Sequence, residues 1–279
     1  MLENLALLRY IPDIFLVVFA FVVGLLFGSF ANVVIYRLPQ KKSVVNPPST
    51  CPSCSKRLAV IDLIPIISWL FLRARCRKCK AKISGRYPLV ELICGLLFAS
   101  MVYFSPTLSA IPLCILAFLL LVISCIDWDT QEIPDGLLII GALVGIAWVA
   151  IGHFFPDLFP YSPNWLDALL GIVAGAAPLL IIDRISLLVL KKDGFGYGDV
   201  KLMAMVGIFM GWQLTLGAFP LAILSSFPFA VYLLAQKKRQ ATNSKDKNPG
   251  YMAFGPFLCF GILIVFWFGE WIFNRLFVV

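Results

Sequence analysis

IFLVVFAFVVGLLFGSFANVVIY, at residues 14–36, contains no charged side chain and is the first of several long apolar runs in the chain. A helix that crosses the hydrocarbon core of a membrane needs about 20 mostly apolar residues. Of the 279 residues, 61% are hydrophobic and only 14% are charged, whereas soluble domains average about 25% charged residues. The composition excludes an ordinary cytosolic enzyme, a secreted disulfide scaffold and a disordered chain. It predicts an all-α polytopic membrane protein.

The apolar runs predict about eight transmembrane helices. Their approximate bounds are 14–36, 88–104, 108–126, 137–154, 166–190, 200–214, 216–235 and 254–275. The run at 14–36 could instead be a cleaved signal peptide. Acidic residues precede it, Glu3 and Asp13, and no small-residue cleavage site precedes Gly28. We therefore expect this run to remain as the first transmembrane helix.

The net charge of +8 comes mainly from segments between the predicted spans. Segment 37–87 carries more than half of the 23 basic residues and one acid, Asp62, and further lysines and arginines lie in 191–201 and 236–253. Eight spans place all three segments on one side, which the positive-inside rule makes cytoplasmic. A nucleic-acid-binding loop is the weaker interpretation because aromatic residues are sparse there. We expect membrane lipid and no nucleic acid among the partners.

Two C-x-x-C pairs lie in the first basic segment, Cys51 with Cys54 and Cys76 with Cys79. Two such turns can close a tetrahedron of thiolates around one Zn²⁺ and leave no position for water, as in structural zinc sites. Two disulfides are the alternative interpretation. Because a cytoplasmic loop is in a reducing compartment, a cytoplasmic zinc-knuckle insert is favoured. The apolar stretch 58–72 between the pairs is too short to span, so we expect it on the membrane surface or packed under the spans.

Carboxylates at the predicted membrane edge are the main catalytic candidates, since charged groups near hydrocarbon are costly. They are Asp127, Asp129 and Asp135 after the third predicted span, and Asp199 at the start of the sixth. Two carboxylates held within a few ångströms share a proton, so one can activate water while the other donates a hydrogen bond to a scissile carbonyl. Such a pair cleaves peptides without a metal ion.

Helix capping is the alternative role for two of these residues, because Asp is a favoured N-cap. Asp135 could cap the fourth span and Asp199 the sixth. The glycines that alternate before Asp199 favour a functional role there, because they leave backbone that an extended peptide could approach closely. These glycines are Gly194, Gly196 and Gly198.

Other catalytic constellations are nearly absent. The single histidine, His153, is predicted near the outer face, which removes H-E-x-x-H zinc proteases and Ser-His arrangements on the cytoplasmic side. Glu91 lies about one turn into the second predicted span, with Arg86 as a candidate partner. For Glu91 a functional and a structural role both remain open.

Five segments carry a family resemblance. They are Gly28-Ser-Phe-Ala-Asn-Val-Val-Ile-Tyr-Arg-Leu-Pro39, the two C-x-x-C pairs, Arg86-Tyr-Pro-Leu-Val-Glu91, Ile126-Asp-Trp-Asp-Thr-Gln-Glu-Ile-Pro-Asp135 and Gly196-Tyr-Gly-Asp-Val-Lys201. In this joint order they resemble the type IV prepilin leader peptidases, membrane aspartic proteases of the G-x-G-D class. Ala31 stands where the family's G-S-F-L-N segment usually has leucine, which is a mild departure.

The resemblance implies an enzyme of the bacterial inner membrane that cuts the basic leader from type IV prepilins and from the pseudopilins of type II secretion. It also implies N-methylation of the new N-terminal residue with S-adenosylmethionine, although the sequence shows no fingerprint for that methyl donor. The implied catalytic pair is Asp127 and Asp199. Supporting positions are Asp129, Asp135, Gly196, Gly198 and Lys201, with the first two as fallback catalytic residues; Glu91 and Arg86 are candidates for methyl transfer.

The expected organisation is a first transmembrane helix at 1–36, a cytoplasmic four-cysteine loop at 37–87 and a transmembrane aspartic protease domain at 88–279. Two alternatives belong to other functional classes. One is a transporter with a carboxylate proton relay, whose acids should lie within the spans rather than at their cytosolic ends. The other is a non-catalytic scaffold for a pilus or secretion assembly, in which replacing the aspartates would leave substrate processing unchanged.

Overall fold

The computed structural model describes residues 14–191, 196–240 and 253–277, with side chains for 14–189, 191, 196–232 and 253–269. Gly194 and most of the basic segment 236–253 therefore lie outside the described residues, as do Glu3 and Asp13.

Eight α-helices form the described part of the chain. They are α1 (Ile14–Arg37), α2 (Ile67–Phe71), α3 (Arg86–Phe104), α4 (Ala110–Thr130), α5 (Asp135–Phe154), α6 (Trp165–Leu190), α7 (Tyr197–Gln240) and α8 (Gly255–Phe277). A short 3-10 helix, Val60–Leu63, precedes α2. Within these ranges no strand forms, and two isolated β-bridges lie in the four-cysteine segment. The all-α membrane fold predicted from the apolar runs is confirmed.

Helix α7 covers both the sixth and the seventh predicted span. Its backbone is interrupted at Gly211, where φ is 68° and ψ is 178°, a combination that glycine adopts at little cost. Six of the described helices are long and apolar enough to cross a membrane, and Gly255–Gly269 forms a shorter apolar helix. These six candidate spans are fewer than the eight that the sequence predicted, because α7 joins two of the predicted spans and the described apolar part of α8 is short.

The chain divides into two compact units. The first contains Met1–Val122 and Asp157–Tyr161, and the second contains Ile123–Pro156 and Ser162–Val279. The boundary falls within α4, whereas the sequence analysis placed a boundary between 87 and 88. The difference arises because α3 packs along α1, so the helix that was assigned to the protease domain belongs to the first unit.

In the first unit, small residues let α1 and α3 approach closely. A side chain at Gly24 would lie 2.8 Å from the Cα of Gly95, and one at Gly28 would lie 2.6 Å from the Cα of Glu91. Gly24 and Gly28 form a G-x-x-x-G pattern, which is typical of close helix packing in membranes. The α1–α3 contact thus fixes Glu91 against the end of α1 that leads into the four-cysteine segment.

The second unit is built around α7, which packs against α5, α6 and α8. Gly171 and Gly175 of α6 lie directly against the backbone of α7 at Gly207 and Met203, with no space for a side chain. Gly145 of α5 likewise faces the ring of Phe209, where an added Cβ would be 2.8 Å from the ring. These contacts hold the first part of α7, which begins with the predicted Asp199 motif.

Candidate active site and metal centre

The structure brings Asp127 and Asp199 together in the second unit. Asp127 lies in the last turns of α4 and is 6% exposed, whereas Asp199 lies in the first turn of α7. Their charges interact, and both act on the buried thiol of Cys259 in α8. Two carboxylates that share one low-dielectric region cannot both ionise easily. The two acids therefore lie close enough within the second unit for each charge to affect the ionisation of the other.

Each of the two carboxyl groups is held by a backbone amide at the start of a helix. The Gly255 N–H, at the beginning of α8, donates to Oδ2 of Asp127 at 2.9 Å. The Gly196 N–H, immediately before α7, hydrogen-bonds to the Asp199 carboxyl. Helix N-termini favour negative charge. These contacts therefore orient both carboxyl groups without neutralising them by a basic side chain.

One oxygen of Asp199 is the unsatisfied atom of the site. Oδ1 is buried and has no hydrogen-bond partner among the described residues. Buried polar atoms are nearly always satisfied, so such an atom indicates a position for a proton, a water molecule or a ligand. The geometry leaves this oxygen available for a reacting group.

Gly255 is a site residue that the sequence analysis missed. A side chain there would lie 2.7 Å from Oδ2 of Asp127, so only glycine gives the amide its present approach to the carboxylate. The sole sequence signal is the Gly255-Pro256 pair that opens the last apolar run, and nothing in that pair points to a residue 128 positions earlier.

Three aromatic rings connect the helices that carry this contact. The ring of Phe229 in α7 lies 5.4 Å from that of Trp128 and 5.7 Å from that of Phe257. Trp128 follows Asp127 in α4, and Phe257 is in the same turn of α8 as Gly255. Ring pairs at these separations pack favourably, and this cluster joins the three helices that meet around Asp127.

Asp135 and Lys201 form an ion pair away from the buried pair. Lys201 Nζ lies 2.8 Å from Oδ1 of Asp135, and both side chains are largely exposed. Asp135 makes no capping hydrogen bond at the start of α5, where Pro134 is the N-cap, so the capping alternative for Asp135 is wrong. Asp129 is exposed and outside the buried pair.

The two predicted glycines differ in their surroundings. Among the described residues, the Asp199 carboxyl and the Gly198 amide are the groups within 4 Å of a Cβ placed on Gly196, and Gly196 is exposed. A Cβ on Gly198 would instead lie 3.0 Å from that of Ile133. The space that the sequence analysis left for a substrate at Gly198 is filled by the chain itself.

The four predicted cysteine ligands form one cluster in the first unit. The sulfurs of Cys51, Cys54, Cys76 and Cys79 all lie within 4.8 Å of one another, and the Sγ atoms of Cys51 and Cys79 are 3.8 Å apart. Zn–S bonds of about 2.3 Å in a tetrahedron require sulfurs about 3.8 Å apart. The disulfide alternative is wrong for the structure, in which these four cysteines are free. The cluster fits a structural zinc ion.

The two C-x-x-C turns share one local geometry. Each is closed by an isolated antiparallel bridge, Thr50 with Arg57 and Arg75 with Lys82. Backbone amides of Cys79 and Lys78 lower the pKa of the Cys76 thiol to about 6. The pKa of the Cys79 thiol is instead raised to about 11, because desolvation and the neighbouring thiols outweigh a hydrogen bond from the Ala81 backbone. The four thiols therefore do not ionise together unless a cation compensates their charge. This is the donor set of a closed zinc knuckle.

Glu91 is buried on α3, with 8% exposure. Its Oε2 accepts the backbone N–H of Ile66 at 2.7 Å, and the Ser29 hydroxyl also hydrogen-bonds to the carboxyl. Arg86, the partner that the sequence suggested, is exposed at the start of α3. Glu91 connects α1, α3 and the turn before α2.

Comparison with known proteins gives two family matches. Residues 22–105 match the family described as Bacterial Peptidase A24 N-terminal domain, and residues 114–234 match the Type IV leader peptidase family. No solved structure gives a significant match.

Several curated relatives carry the name prepilin leader peptidase/N-methyltransferase. The protein from Myxococcus xanthus is 38% identical over 238 residues, covering 84% of this chain and 68% of the relative. The protein from Stutzerimonas stutzeri is 37% identical over 276 residues and 90% of both chains. The protein from Klebsiella pneumoniae is 37% identical over 243 residues, covering 82% of this chain and 100% of the relative.

Proposed function

Since the chain belongs to the prepilin leader peptidase/N-methyltransferase family, we propose that Asp127 and Asp199 carry out its peptidase reaction. The chain is a membrane-bound enzyme that removes leader peptides and methylates the N-terminus that cleavage exposes. The observation that supports the two catalytic residues is their position as buried carboxyl groups with interacting charges. Asp129 is exposed and Asp135 is paired with Lys201, which makes both weaker candidates.

The reaction requires one ionised and one protonated carboxyl group. The ionised group takes a proton from a water molecule as that water attacks the scissile carbonyl, and the protonated group donates a hydrogen bond to the carbonyl oxygen. The C–N bond then breaks, and the leaving amine receives a proton from the pair. In this scheme the free Oδ1 of Asp199 binds either the water or the carbonyl oxygen, and the Gly255 amide holds Asp127 in position.

The substrates that fit this site are type IV prepilins and pseudopilins. Such a substrate has a basic leader followed by an apolar helix, so its cleavage point lies where the helix leaves the bilayer. Asp127 and Asp199 lie at the end of α4 and the start of α7, two helices long enough to span a membrane. The basic residues of segment 37–87 favour a cytoplasmic location for this face in the bacterial inner membrane. The peptidase would then act on the cytoplasmic side.

The four-cysteine cluster would hold one structural Zn²⁺, with Cys51, Cys54, Cys76 and Cys79 as its ligands. All four tetrahedral positions are taken by protein sulfurs, so the ion would stabilise the fold of the insert and take no part in peptide hydrolysis. S-adenosylmethionine would supply the methyl group for the N-terminal amine.

The experiment that tests the catalytic pair uses purified full-length protein, a prepilin peptide and S-adenosylmethionine, with product masses as the readout. Asp127→Asn and Asp199→Asn should each reduce leader cleavage by about 10²–10⁴-fold, because an amide cannot exchange the proton. Glu132→Gln, an exposed acid on the loop after α4, is the matched control and should cleave normally. Cleavage retained by both aspartate variants would refute the pair and leave the scaffold alternative.

A further inference from the structure

The apolar stretch 58–72 of the four-cysteine insert is exposed in the first unit. Val60 and Phe71 are 85% and 86% exposed. They lie in the 3-10 helix and in α2, which pack against each other, so the stretch presents one apolar patch. Large apolar patches on a protein surface usually mark contacts with a partner or a membrane. Of the two positions that the sequence left open for this stretch, the exposure favours the membrane surface over packing under the spans.

Helix α2, within this stretch, has a protein side and an outer side. Trp69 and Leu72 line a cavity of about 600 Å³ between α1, α3 and the insert. Ile67, Leu70 and Phe71 follow the i, i+3, i+4 spacing of a single helix face, and all three are exposed. A helix side that faces water normally carries polar residues. The outer side of α2 therefore fits contact with hydrocarbon.

A hydrogen bond to Glu91 fixes the stretch beside the first turns of α3. Glu91 also lines the cavity, and its Oε2 accepts the Ile66 N–H at 2.7 Å. Because α3 begins at Arg86 and a helix rises about 1.5 Å per residue, this contact lies about 7–8 Å along the span. Leu89 of α3 is exposed at this level. Interfacial helices bury their apolar face about 5–10 Å into the boundary between headgroups and acyl chains, so the stretch lies at a depth typical of them.

Four exposed basic residues bracket the apolar stretch: Lys56, Arg57, Arg73 and Arg75. Arg57 and Arg75 lie in the two β-bridges that close the C-x-x-C turns, so the cysteine cluster fixes one basic residue at each end. Asp62, the sole acid of segment 37–87, lines the cavity and is ion-paired with Arg77. The ends of the apolar stretch are therefore positively charged, which complements the headgroups of anionic lipids.

We propose that this apolar patch enters the membrane interface and that the four bracketing residues bind anionic lipid headgroups. The insert joins α1 to α3, which are both long and apolar enough to span a membrane, so a lipid surface lies beside both of its ends. Burial of the apolar side chains in lipid removes them from water, and the anionic surface attracts the basic ones. A basic leader peptide would be repelled by the same four residues, which favours lipid over substrate as the occupant.

The first test uses full-length protein in nanodiscs that contain phosphatidylcholine and phosphatidylglycerol in equal parts. The photoreactive residue benzoylphenylalanine takes the place of Phe71, and protein masses after illumination identify what it contacts. We expect lipid adducts. The same residue in place of Leu72, on the cavity side of α2, should give cross-links within the protein. Links from position 71 only to the protein, or to an added prepilin peptide instead of lipid, would overturn the proposal.

The second test neutralises one basic residue at each end of the stretch. Lys56→Gln combined with Arg73→Gln should lower the ratio of phosphatidylglycerol to phosphatidylcholine adducts at position 71 about five-fold, because each charge is attracted to anionic lipid. Both residues lie outside the two β-bridges, so the melting temperature should not change. Lys191→Gln, an exposed base of the second unit, is the control and should leave the ratio unchanged. The same ratio in the double variant as in the unmodified protein would refute the headgroup contact.

Discussion

The two compact units hold their buried acids in different ways. In the second unit, amides at the starts of α7 and α8 fix Asp199 and Asp127, which leaves two like charges to share a proton. In the first unit, Asp62 is ion-paired with Arg77, and Glu91 is held by neutral donors. The first arrangement suits proton transfer, whereas the second fixes its acids by an ion pair and by hydrogen bonds from neutral groups. Because the two sets of acids lie in different units, we expect hydrolysis and methyl transfer to be separable by mutation.

The largest expected effect comes from removing the metal cluster. Cys51→Ser combined with Cys76→Ser should reduce bound zinc from about one ion per chain to none. Because both cysteines line the same cavity as Glu91, the candidate residue for methyl transfer, methylation should be lost while leader cleavage persists. Metal analysis under reducing conditions and product masses measure the two effects. Equal loss of cleavage and methylation in the double variant would contradict the expectation that the two activities can be separated.

Gly255→Ala should reduce leader cleavage and leave methylation unchanged. The added Cβ would lie 2.7 Å from Oδ2 of Asp127, so the amide and the carboxylate must move apart. We expect cleavage to fall by about 10²-fold, since small displacements of catalytic groups have effects of this size. Methylation of a peptide supplied already cleaved should be unchanged. Gly136→Ala is the control, because no neighbour in the part of the chain that the structure describes lies within 4 Å of its added Cβ.

Gly28→Ala should have an intermediate effect confined to the first unit. Its Cβ would meet the Cα of Glu91 at 2.6 Å and push α1 away from α3. We expect about ten-fold slower methylation of a peptide supplied already cleaved and a lower melting temperature, in the range of overpacked cores. Gly85→Ala is the control, because its added Cβ would lie 3.9 Å from the ring of Trp69, an ordinary van der Waals contact. It should change neither quantity. Normal methylation by the Gly28 variant would show that the helix contact does not position Glu91 for methyl transfer.

Lys201→Met should have the smallest effect. The residue lies in the family motif, yet its ion pair with Asp135 is exposed, and exposed pairs contribute about 0–1 kcal/mol to stability. We expect a shift of the melting temperature by a few degrees at most and a change in cleavage rate of less than about five-fold. A loss of about a hundred-fold in kcat would instead indicate that Lys201 contacts the substrate.

The helices and the cysteine cluster could be predicted because their signals are local. Apolar runs locate the spans, and the spacing within each C-x-x-C pair sets the turn that presents two sulfurs. The boundary inside α4 could not be predicted, because it depends on which helices α3 and α7 pack against. Hydrophobicity along the chain carries no information about those neighbours.

The features that could not be predicted depend on contacts between residues that are far apart in the sequence. Gly255 meets Asp127 across 128 positions, and the cavity joins Asp62 to Glu91 only because the segment between them folds back on α1 and α3. Ile133 occupies the space beside Gly198 for a similar reason, since the loop before α5 packs on the start of α7. Motifs identified the aspartates and cysteines, but their partners required the fold.

A single assay shows whether leader cleavage depends on Asp199 and N-methylation depends on Glu91. Two peptides are incubated with S-adenosylmethionine, one with its leader intact and one that already begins at the mature residue, and the products are weighed by mass spectrometry. Asp199→Asn should leave the first peptide uncut and methylate the second, whereas Glu91→Gln should cut the first and methylate neither. An Asp199 variant that still cuts, or a Glu91 variant that still methylates, would contradict the account.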